Sequence, residues 1–253
     1  MISKKRIKDI HALGIKKYRD NEQLFVAEGP KIVLEFLHVF QCTYLVTTKE
    51  WLSSTPSSLL ENVKAIEEAT TEELHKASLM QTPQHVVAIF KKPKPIPFQT
   101  SMAQTDICLA LDGVQDPGNV GTILRIADWF GIENILCSPD TADVFSPKVV
   151  QASMGALCRI KTYRINLPEI LSQVSGNAPI YGTFLNGENI HQQELSNKGI
   201  IIMGNEGNGI RKDTEQYIDT RLFVPSYPPE RPTSESLNVA IATAIICEEF
   251  RRR

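Results

Sequence analysis

The sequence lacks the marks of several protein classes. It contains no apolar run of the roughly 18 residues that a membrane-spanning helix needs, so no membrane association is expected. The basic amino terminus is not followed by an apolar segment, which argues against a secretory signal peptide. The five histidines show neither HxxxH nor HExxH spacing, so no metal site is predicted.

Closely spaced cysteines are missing as well. The five cysteines are scattered along the chain and form no CxxC pair. Cys108 and Cys137 lie within apolar, strand-like runs and are predicted to be buried thiols. Unpaired thiols are typical of a reducing compartment, so we expect a cytoplasmic protein.

A large excess of charge is also missing. The net charge of −2 at pH 7 excludes a global basic field that would attract nucleic acid. Basic residues are in local excess at both ends of the sequence. The stretch from Met1 to Asp20 has seven basic and two acidic residues, and the last three residues are Arg251–Arg253. Such patches can contact phosphates, although a solvated helix face explains these counts equally well.

The length of 253 residues suits two domains. The clearest linker lies within 91–105, where the stretch from Lys91 to Phe98 has three prolines in five residues. Prolines at this density cannot continue a helix or a central strand. We therefore predict a small α/β domain over 1–90 and a larger domain over 106–253.

The larger domain shows a regular alternation of strands and helices. Its predicted strands are Ile107–Leu111, Asn134–Cys137, Ile180–Leu185, Gly199–Met203 and Arg221–Val224. Its predicted helices cover about 120–130, 146–157, 167–175 and 210–218, with a last one from Ser236 to Arg253. Repeated β–α units predict an α/β fold with a parallel sheet and helices on both faces.

The smaller domain alternates in the same way. Its predicted elements are the helix Met1–Leu13, the strand Leu24–Ala27, the helix Pro30–Phe40, the strands Tyr44–Thr48 and Val63–Ile66, the helix Glu67–Ser78 and the strand His85–Phe90.

The stretch from Leu109 to Arg125, LALDGVQDPGNVGTILR, is predicted to form a strand, a tight polar loop and a helix. Asn119 is a natural N-cap residue, and Arg125 follows a turn and a half into the helix. Loops at the carboxyl ends of parallel strands are where open α/β sheets bind ligands. Taken alone, the stretch is explained better by an asparagine that only caps and an arginine that only pairs on the surface.

Two later stretches also place polar residues directly after a strand. From Ile200 to Ile210 an apolar strand runs into Gly-Asn-Glu-Gly-Asn-Gly, which matches neither the dinucleotide nor the P-loop fingerprint. Its glycines would let a ligand approach the backbone, whereas Glu206 is explained equally well by the helix dipole or by a site.

The third stretch leads from a strand through a proline-rich loop to Ser236-Leu237-Asn238-Val239. Ser236 could be a mere N-cap, but Asn238 beside an apolar helix needs a partner, because an unpaired buried polar group costs about 1–3 kcal/mol. The helix that follows is apolar on nearly every side. One sheet face cannot bury it, so a partner subunit is the simplest second surface.

Together these stretches resemble the three motifs of the SpoU (TrmH-like) branch of the SPOUT RNA methyltransferases. N-x-G-x-x-x-R is Asn119, Gly121 and Arg125; G-x-E-x-x-G is Gly204, Glu206 and Gly209; S-L-N-V is Ser236 to Val239. The segments SPKVVQASMGAL (Ser146 to Leu157) and YGTFL (Tyr181 to Leu185) resemble the family too. The stretch FVAEGPKIV (Phe25 to Val33) resembles the L30e-like substrate-binding domain that precedes many such enzymes.

The resemblance implies a parallel-sheet SPOUT domain with a carboxyl-terminal trefoil knot, preceded by a small α/β L30e-like domain. It implies S-adenosyl-L-methionine as the cofactor, no metal, and an obligate homodimer. The implied cofactor contacts, largely through backbone groups, are Thr183, Gly204, Val224 and Leu237.

The activity implied is methyl transfer to a ribose 2′-hydroxyl of structured RNA. The expected catalytic set is Asn119, Arg125, Glu206, Ser236 and Asn238. Arg125 would hold the ribose and its phosphate; a guanidinium essentially never deprotonates, so orientation or phosphate-assisted proton transfer is easier than base catalysis. Glu206 would hold Arg125 or the polar network, and the other three would orient the nucleotide and Arg125.

Three alternatives for the function stay open. The separate amino-terminal domain favours ribosomal RNA, the same reaction on transfer RNA is the first rival, and a non-catalytic RNA-binding assembly factor is the second. Two departures from the family pattern bear on the substrate. The loop from Pro225 to Ser236 is longer than usual, and Gln151 stands where many relatives carry arginine, so one phosphate contact is expected to be missing.

Overall fold

A computed structural model describes residues 2–228 and 234–252 of the chain. It divides into two compact units. The first comprises the chain up to Lys94 together with 143–158, and the second comprises 95–142 and the chain from Arg159 onwards. The domains predicted from the sequence run without interruption, whereas here the segment 143–158 leaves the second unit and packs within the first.

The helices and strands of the described residues are as follows. The helices are α1 Lys4–Ala12, α2 Lys16–Glu22, α3 Pro30–Leu37, α4 Lys49–Ser54, α5 Ser57–Leu60, α6 Thr71–Ala77, α7 Pro117–Trp129, α8 Pro147–Ser153, α9 Leu167–Val174, α10 Lys212–Glu215 and α11 Val239–Arg251. The strands are β1 Leu24–Glu28, β2 Cys42–Thr47, β3 Ile66–Glu68, β4 Val86–Lys91, β5 Ile107–Asp112, β6 Asn134–Cys137, β7 Lys161–Arg164, β8 Ile180–Asn189, β9 Gly199–Gly204 and β10 Thr220–Phe223. None of the helices within these residues is long and apolar enough to cross a membrane.

The first unit is built on a four-stranded sheet in the order β1-β4-β2-β3. An aromatic cluster fills one part of its core, with the rings of Phe25, Phe36 and Phe90 5.6–5.8 Å apart. Phe145 of the segment 143–158 joins this cluster, because its ring centroid lies 5.0 Å from that of Phe25. The segment therefore supplies part of the core of the first unit.

Arg19 ties the same segment down by a second contact. Its side chain is almost fully buried, and its Nε and Nη2 donate to Asp143 Oδ2 at 2.9 and 2.6 Å. Its Nη1 donates to the carbonyl of Leu13 at 2.8 Å. Each of the three nitrogens of the buried guanidinium thus donates a hydrogen bond, and its charge is paired with that of Asp143.

Arg19→Ala is expected to destabilise the first unit by about 3–5 kcal/mol, because it leaves the Asp143 carboxylate in place without its buried partner. Urea unfolding followed through the fluorescence of Trp51 measures this, since Trp51 is buried in the first unit whereas Trp129 of the second is 85% exposed. The neighbouring variant Asp20→Asn removes a more exposed ion pair with Lys92 and should cost less than about 1 kcal/mol. Equal losses in the two variants would contradict the role given to Arg19.

Two elements of the first unit lie elsewhere than predicted. The strand predicted over Val63–Ile66 is found at β3, and the helix predicted from Glu67 starts four residues later. The reason is a capping box, in which the Thr70 hydroxyl accepts from the backbone of Glu73 and the Glu73 carboxylate accepts from the backbone of Thr70. The signal was in the sequence, where Thr70 and Glu73 stand three residues apart.

The second unit confirms the predicted parallel sheet. Six strands pair in the order β10-β8-β9-β5-β6-β7, and every neighbouring pair is parallel. The central strand β5 is buried along its whole length, as an apolar run covered on both faces should be. Because all six strands point the same way, their carboxyl ends lie along one edge of the sheet, which we call the carboxyl edge.

Strand β7 was not predicted from the sequence. Only Tyr163 of its four residues is buried, so the run KTYR has neither an apolar stretch nor a clear alternation. The helix predicted over 210–218 shortens to α10, and the last helix begins at Val239 rather than Ser236. The predicted burial of Cys108 and Cys137 is confirmed.

Candidate active site

The first two motifs meet at the carboxyl edge because their strands are neighbours. Strands β5 and β9 pair in register, and Asp112, the last residue of β5, lies opposite Gly204, the last residue of β9. The loops that leave these two residues therefore start side by side.

The helix α7 begins one turn earlier than predicted. Its N-cap is Asp116, whose Oδ1 accepts from the backbone N–H of Asn119 at 2.8 Å, and Pro117 occupies its first position. The prediction that Asn119 caps this helix is therefore wrong. Because Asp116 and not Asn119 caps the helix, the side chain of Asn119 is available for other contacts. The predicted end of the helix is confirmed, since Gly131 follows it with φ of +66°.

Asn119 links the second and third motifs. Its Nδ2 donates to Glu206 Oε1 at 3.0 Å, and its Oδ1 accepts from Asn238 Nδ2 at 2.9 Å. The carboxylate can only accept at neutral pH, so it fixes which end of the Asn119 amide faces it, and the other end must then face a donor. We call the chain Glu206–Asn119–Asn238 the amide relay.

Glu206 stands at the tip of a tight hairpin. The backbones of Asn205 and Gly209 exchange two hydrogen bonds of 2.9 Å, which brings the residues between them to the end of the turn. The Glu206 carboxylate also accepts from the backbone N–H groups of Gln115 and Asp116, both at 3.3 Å. Burial by itself would raise the pKa of Glu206, but the hydrogen bonds from Asn119 and these backbone groups outweigh it and lower the pKa.

Asn238 closes the relay at the start of α11. Its Oδ1 accepts from the backbone N–H groups of Ala240 and Ile241, so this residue and not Ser236 is the N-cap. The Asn238 side chain thereby has partners at both ends. The relay joins the starts of α7 and α11 to the hairpin after β9.

The other two members of the expected catalytic set lie outside the relay. Arg125 is exposed on α7 and forms no hydrogen bond or ion pair with any residue that the structure describes. Glu206 therefore holds the polar network, one of its two predicted partners, and does not contact Arg125. Ser236 is exposed, and its carbonyl accepts from the Ser234 hydroxyl at 3.5 Å.

The expected cofactor residues follow three neighbouring strands, β9, β8 and β10, at the carboxyl edge. Gly204 ends β9, Val224 follows β10, and Thr183 comes just after the last residue of β8 that pairs with β9. The Thr183 hydroxyl donates to the carbonyl of Ile202 at 3.1 Å. Leu237, next to the N-cap of α11, is 48% exposed.

None of these four residues has a charged side chain, and Val224 and Leu237 are apolar. Residues of these types suit the binding of an adenosine, whose flat base needs apolar contact and whose edges need backbone donors and acceptors. Among the described residues, no three histidine, cysteine, aspartate or glutamate side chains come together as a metal site would require.

Sequence reasoning missed a second polar network at the same edge. Asp112 is fully buried, and Arg211 donates to it from its backbone N–H at 2.9 Å and from Nε at 2.7 Å. The available signal was a charged residue at the end of a wholly apolar strand, since a buried carboxylate must be paired.

The comparisons with known proteins agree with this architecture. Residues 106–248 match the sequence profile of the SpoU rRNA methylase family, and 4–88 match that of the MRM3-like substrate binding domain. The 23S rRNA (guanosine(2553)-2′-O)-methyltransferase RlmP of Bacillus subtilis is 31% identical over 97% of this chain and 96% of its own.

Two solved structures are similar over the whole chain. A protein of the TrmH family from Porphyromonas gingivalis has a TM-score of 0.87 and 42% identity, covering 100% of this chain and 99% of its own. The AdoMet-bound rRNA methyltransferase of Sinorhizobium meliloti has a TM-score of 0.85 and 29% identity, covering 100% and 96%. The fold and the site thus define an RNA methyltransferase of the α/β, parallel-sheet type. The chain belongs to the SpoU rRNA methylase family, which confirms the resemblance of its three motifs.

Proposed function

We propose that this chain transfers a methyl group from S-adenosyl-L-methionine to a ribose 2′-hydroxyl of ribosomal RNA. The observation that carries the proposal is the amide relay, which links the three family motifs at the carboxyl edge. Its central residue, Asn119, lies on the same helix as the exposed Arg125. The similarity to a relative that acts on 23S rRNA favours ribosomal over transfer RNA.

The cofactor would be held by Thr183, Gly204, Val224 and Leu237 and supplies an activated methyl group on a sulfonium. The residues of the relay cannot act as the base. Glu206 is ionised, but its oxygens already accept from Asn119 and two backbone N–H groups, and its lowered pKa makes it a poor proton acceptor.

Arg125 then has the central role toward the RNA. A guanidinium stays protonated and can donate two parallel hydrogen bonds to a phosphate or a ribose oxygen. We assign Arg125 to the ribose and its phosphate, where it orients the 2′-oxygen and favours loss of the hydroxyl proton to a phosphate oxygen. Ser236, whose hydroxyl is exposed, would orient the nucleotide, whereas Asn119 and Asn238 hold the starts of the two helices in place.

Three further expectations belong to this proposal. We propose that the carboxyl-terminal part of the sheet is threaded as a trefoil knot, as the family resemblance implies. The free cysteines of the described chain favour a cytoplasmic location. Residues 229–233 of the extended loop lie outside the described residues, so the effect of this loop on the substrate stays a prediction. Gln151 lies half-buried on α8.

A homodimer is proposed on the evidence of α11. Ile241 is 53% exposed, and Ala244 and Ile245 on the same face are only partly buried, so the chain does not cover its last helix by itself. Exposed apolar residues in a row on one helix face are typical of an interface. A second copy of the chain is the occupant we propose.

Ile241→Glu is expected to shift the protein from dimer to monomer, because a buried carboxylate at an apolar interface would be unpaired. Sedimentation velocity at micromolar concentration measures this. The control Gln173→Glu places a carboxylate on the exposed side of α9 and should leave the dimer intact. A dimer of unchanged stability in the Ile241 variant would place the interface elsewhere.

The function is tested with purified protein, methyl-labelled cofactor and either ribosomal or transfer RNA. Label found in ribosomal RNA as a 2′-O-methyl nucleotide, by mass spectrometry, supports the proposal. Label found only in transfer RNA would show that transfer RNA, and not ribosomal RNA, is the substrate. Absence of label together with absence of cofactor binding in calorimetry would favour an assembly factor without catalysis.

A further inference from the structure

The second polar network lies at the same carboxyl edge as the amide relay. Its centre is Asp112, the fully buried last residue of β5. Arg211 supplies donors to both of its oxygens: the backbone N–H to Oδ2, and Nε and Nη2 to Oδ1. A buried carboxylate without these donors would carry a desolvation cost of several kcal/mol, so the pair is held strongly.

Both ends of the Glu206 hairpin are held by contacts with Asp112. On the near side, Gly204 is paired with Asp112 in the strand register. On the far side, Arg211 follows the hairpin by two residues and returns to Asp112 through its side chain. The hairpin is thus anchored at both ends to the end of β5.

Asn205 makes the hairpin stiff from within. Its Oδ1 accepts from the N–H groups of Gly207 and Asn208 at 2.9 and 3.0 Å, and its Nδ2 donates to the carbonyl of Gly113 at 2.7 Å. Gly113 has φ of +74° and donates its N–H to Ser138 Oγ at 2.8 Å. The loop after β5 and the hairpin after β9 are therefore one connected piece.

Glu206 owes its position to this piece more than to its own contacts. Its bonds to the backbone of Gln115 and Asp116 are 3.3 Å long, at the weak end of the range, and its bond to Asn119 is 3.0 Å. The Arg211–Asp112 contacts are shorter, include an ion pair and are made at a fully buried carboxylate, where electrostatic interactions are stronger than near the surface. The stronger network decides where the weaker one lies.

We propose that Arg211 and Asp112 are positioning residues for methyl transfer, which set the place of Glu206 above the start of α7 and through it the orientation of Asn119. Neither residue touches the RNA or the cofactor in this role. The consequence for turnover rests on the proposed function, but the consequence for the hairpin does not.

Arg211→Lys is the informative variant because it keeps a cation beside Asp112 and removes the guanidinium fork, whose Nε and Nη2 both donate to the carboxylate. Turnover is expected to fall about tenfold or more, since small displacements of catalytic groups cost up to about 100-fold, while KM for the RNA changes less than about twofold. The control Lys161→Met breaks an exposed ion pair with Glu133 at the other edge of the same sheet and should leave turnover unchanged.

A double variant separates positioning from a general loss of structure. If Arg211 acts through Glu206, Arg211→Lys combined with Glu206→Gln should reduce turnover no further than Glu206→Gln alone. If the double variant instead loses turnover by the product of the two single-variant losses, the proposal is overturned.

Hydrogen exchange tests the hairpin without any activity. In Arg211→Lys the amides of 204–211 should exchange faster, while those of Ile107–Leu111 keep their protection. Unchanged exchange in the hairpin would overturn the proposal even if turnover fell. Should the wild-type chain transfer no methyl group, the proposed function fails, and the exchange result still decides whether Arg211 positions the hairpin.

Discussion

Replacing Arg125 by alanine should abolish most methyl transfer, with a fall of at least about 100- to 1,000-fold in turnover, and leave the fold intact. The structural reason is that Arg125 is exposed and forms no hydrogen bond or ion pair with any described residue, so its removal breaks no polar contact among them. Thermal unfolding, sedimentation and calorimetry with the cofactor should match the wild type, while labelled-methyl transfer to RNA is lost.

Two further arginine variants make this result specific. Arg125→Lys keeps the charge and loses the planar fork, so an intermediate turnover is expected. Arg159→Ala removes another exposed arginine, one whose Nε lies 2.7 Å from Asp128 on the same helix, and should change turnover by less than about twofold. Wild-type turnover in a folded Arg125→Ala protein would refute the role of this residue.

Asn119→Asp is expected to lower turnover by about 10- to 100-fold although it changes only an amide into a carboxylate. The new carboxylate would face Glu206 across the present 3.0 Å contact, where the amide now donates a hydrogen bond. Two carboxylates at this distance repel, and one of them is pushed to bind a proton. The Asn238 side chain can still donate to the new residue, so the relay is broken at one end only.

The second half of this prediction is a rescue. Adding Glu206→Gln restores a donor opposite the new carboxylate, so the double variant should recover about tenfold of the lost turnover. Neither substitution changes Arg125 or Ser236, the side chains assigned to the RNA, so recovery tests the hydrogen bond between positions 119 and 206. If the double variant is no better than Asn119→Asp, the relay does not govern turnover.

The pH dependence of turnover should also differ between the wild type and Asn119→Asp. The lowered pKa of Glu206 means that its hydrogen bonds are present above the ordinary value of 4.5 and are lost only as pH falls through the lowered one. Wild-type turnover should thus not depend on this group between about pH 5 and 8. Asn119→Asp should instead gain activity as the pH falls, because protonation relieves the repulsion.

The sequence predicted the sheet better than it predicted the site. Strands such as β5 and β9 are covered on both faces, so their apolar runs stand out, whereas β7 buries one residue and leaves no pattern. At the site, Asp116 and Asn119 are both good N-cap residues three positions apart. The proline between them, at the first helical position, was the signal that Asp116 caps.

The Arg211–Asp112 pair could not be predicted in the same way. The buried carboxylate of Asp112 indicates that a partner is needed, but does not indicate which one. Arg211 is 99 positions away in the sequence and is brought close only by the pairing of β5 with β9. Periodicity describes which face of an element is buried and carries no information about such distant pairs. The same holds for the segment 143–158, because its contacts with Arg19 and Phe25 join residues far apart in the sequence.

That segment has a consequence for how the protein is made. The first unit begins at the amino terminus, yet Arg19 cannot form its ion pair before Asp143 is synthesised, and the phenylalanine cluster is incomplete without Phe145. During translation, an amino-terminal domain ordinarily folds as soon as its own residues have left the ribosome. Here completion is delayed until some sixty further residues have emerged, and a protease cleaving in the proline-rich linker would not release a finished domain.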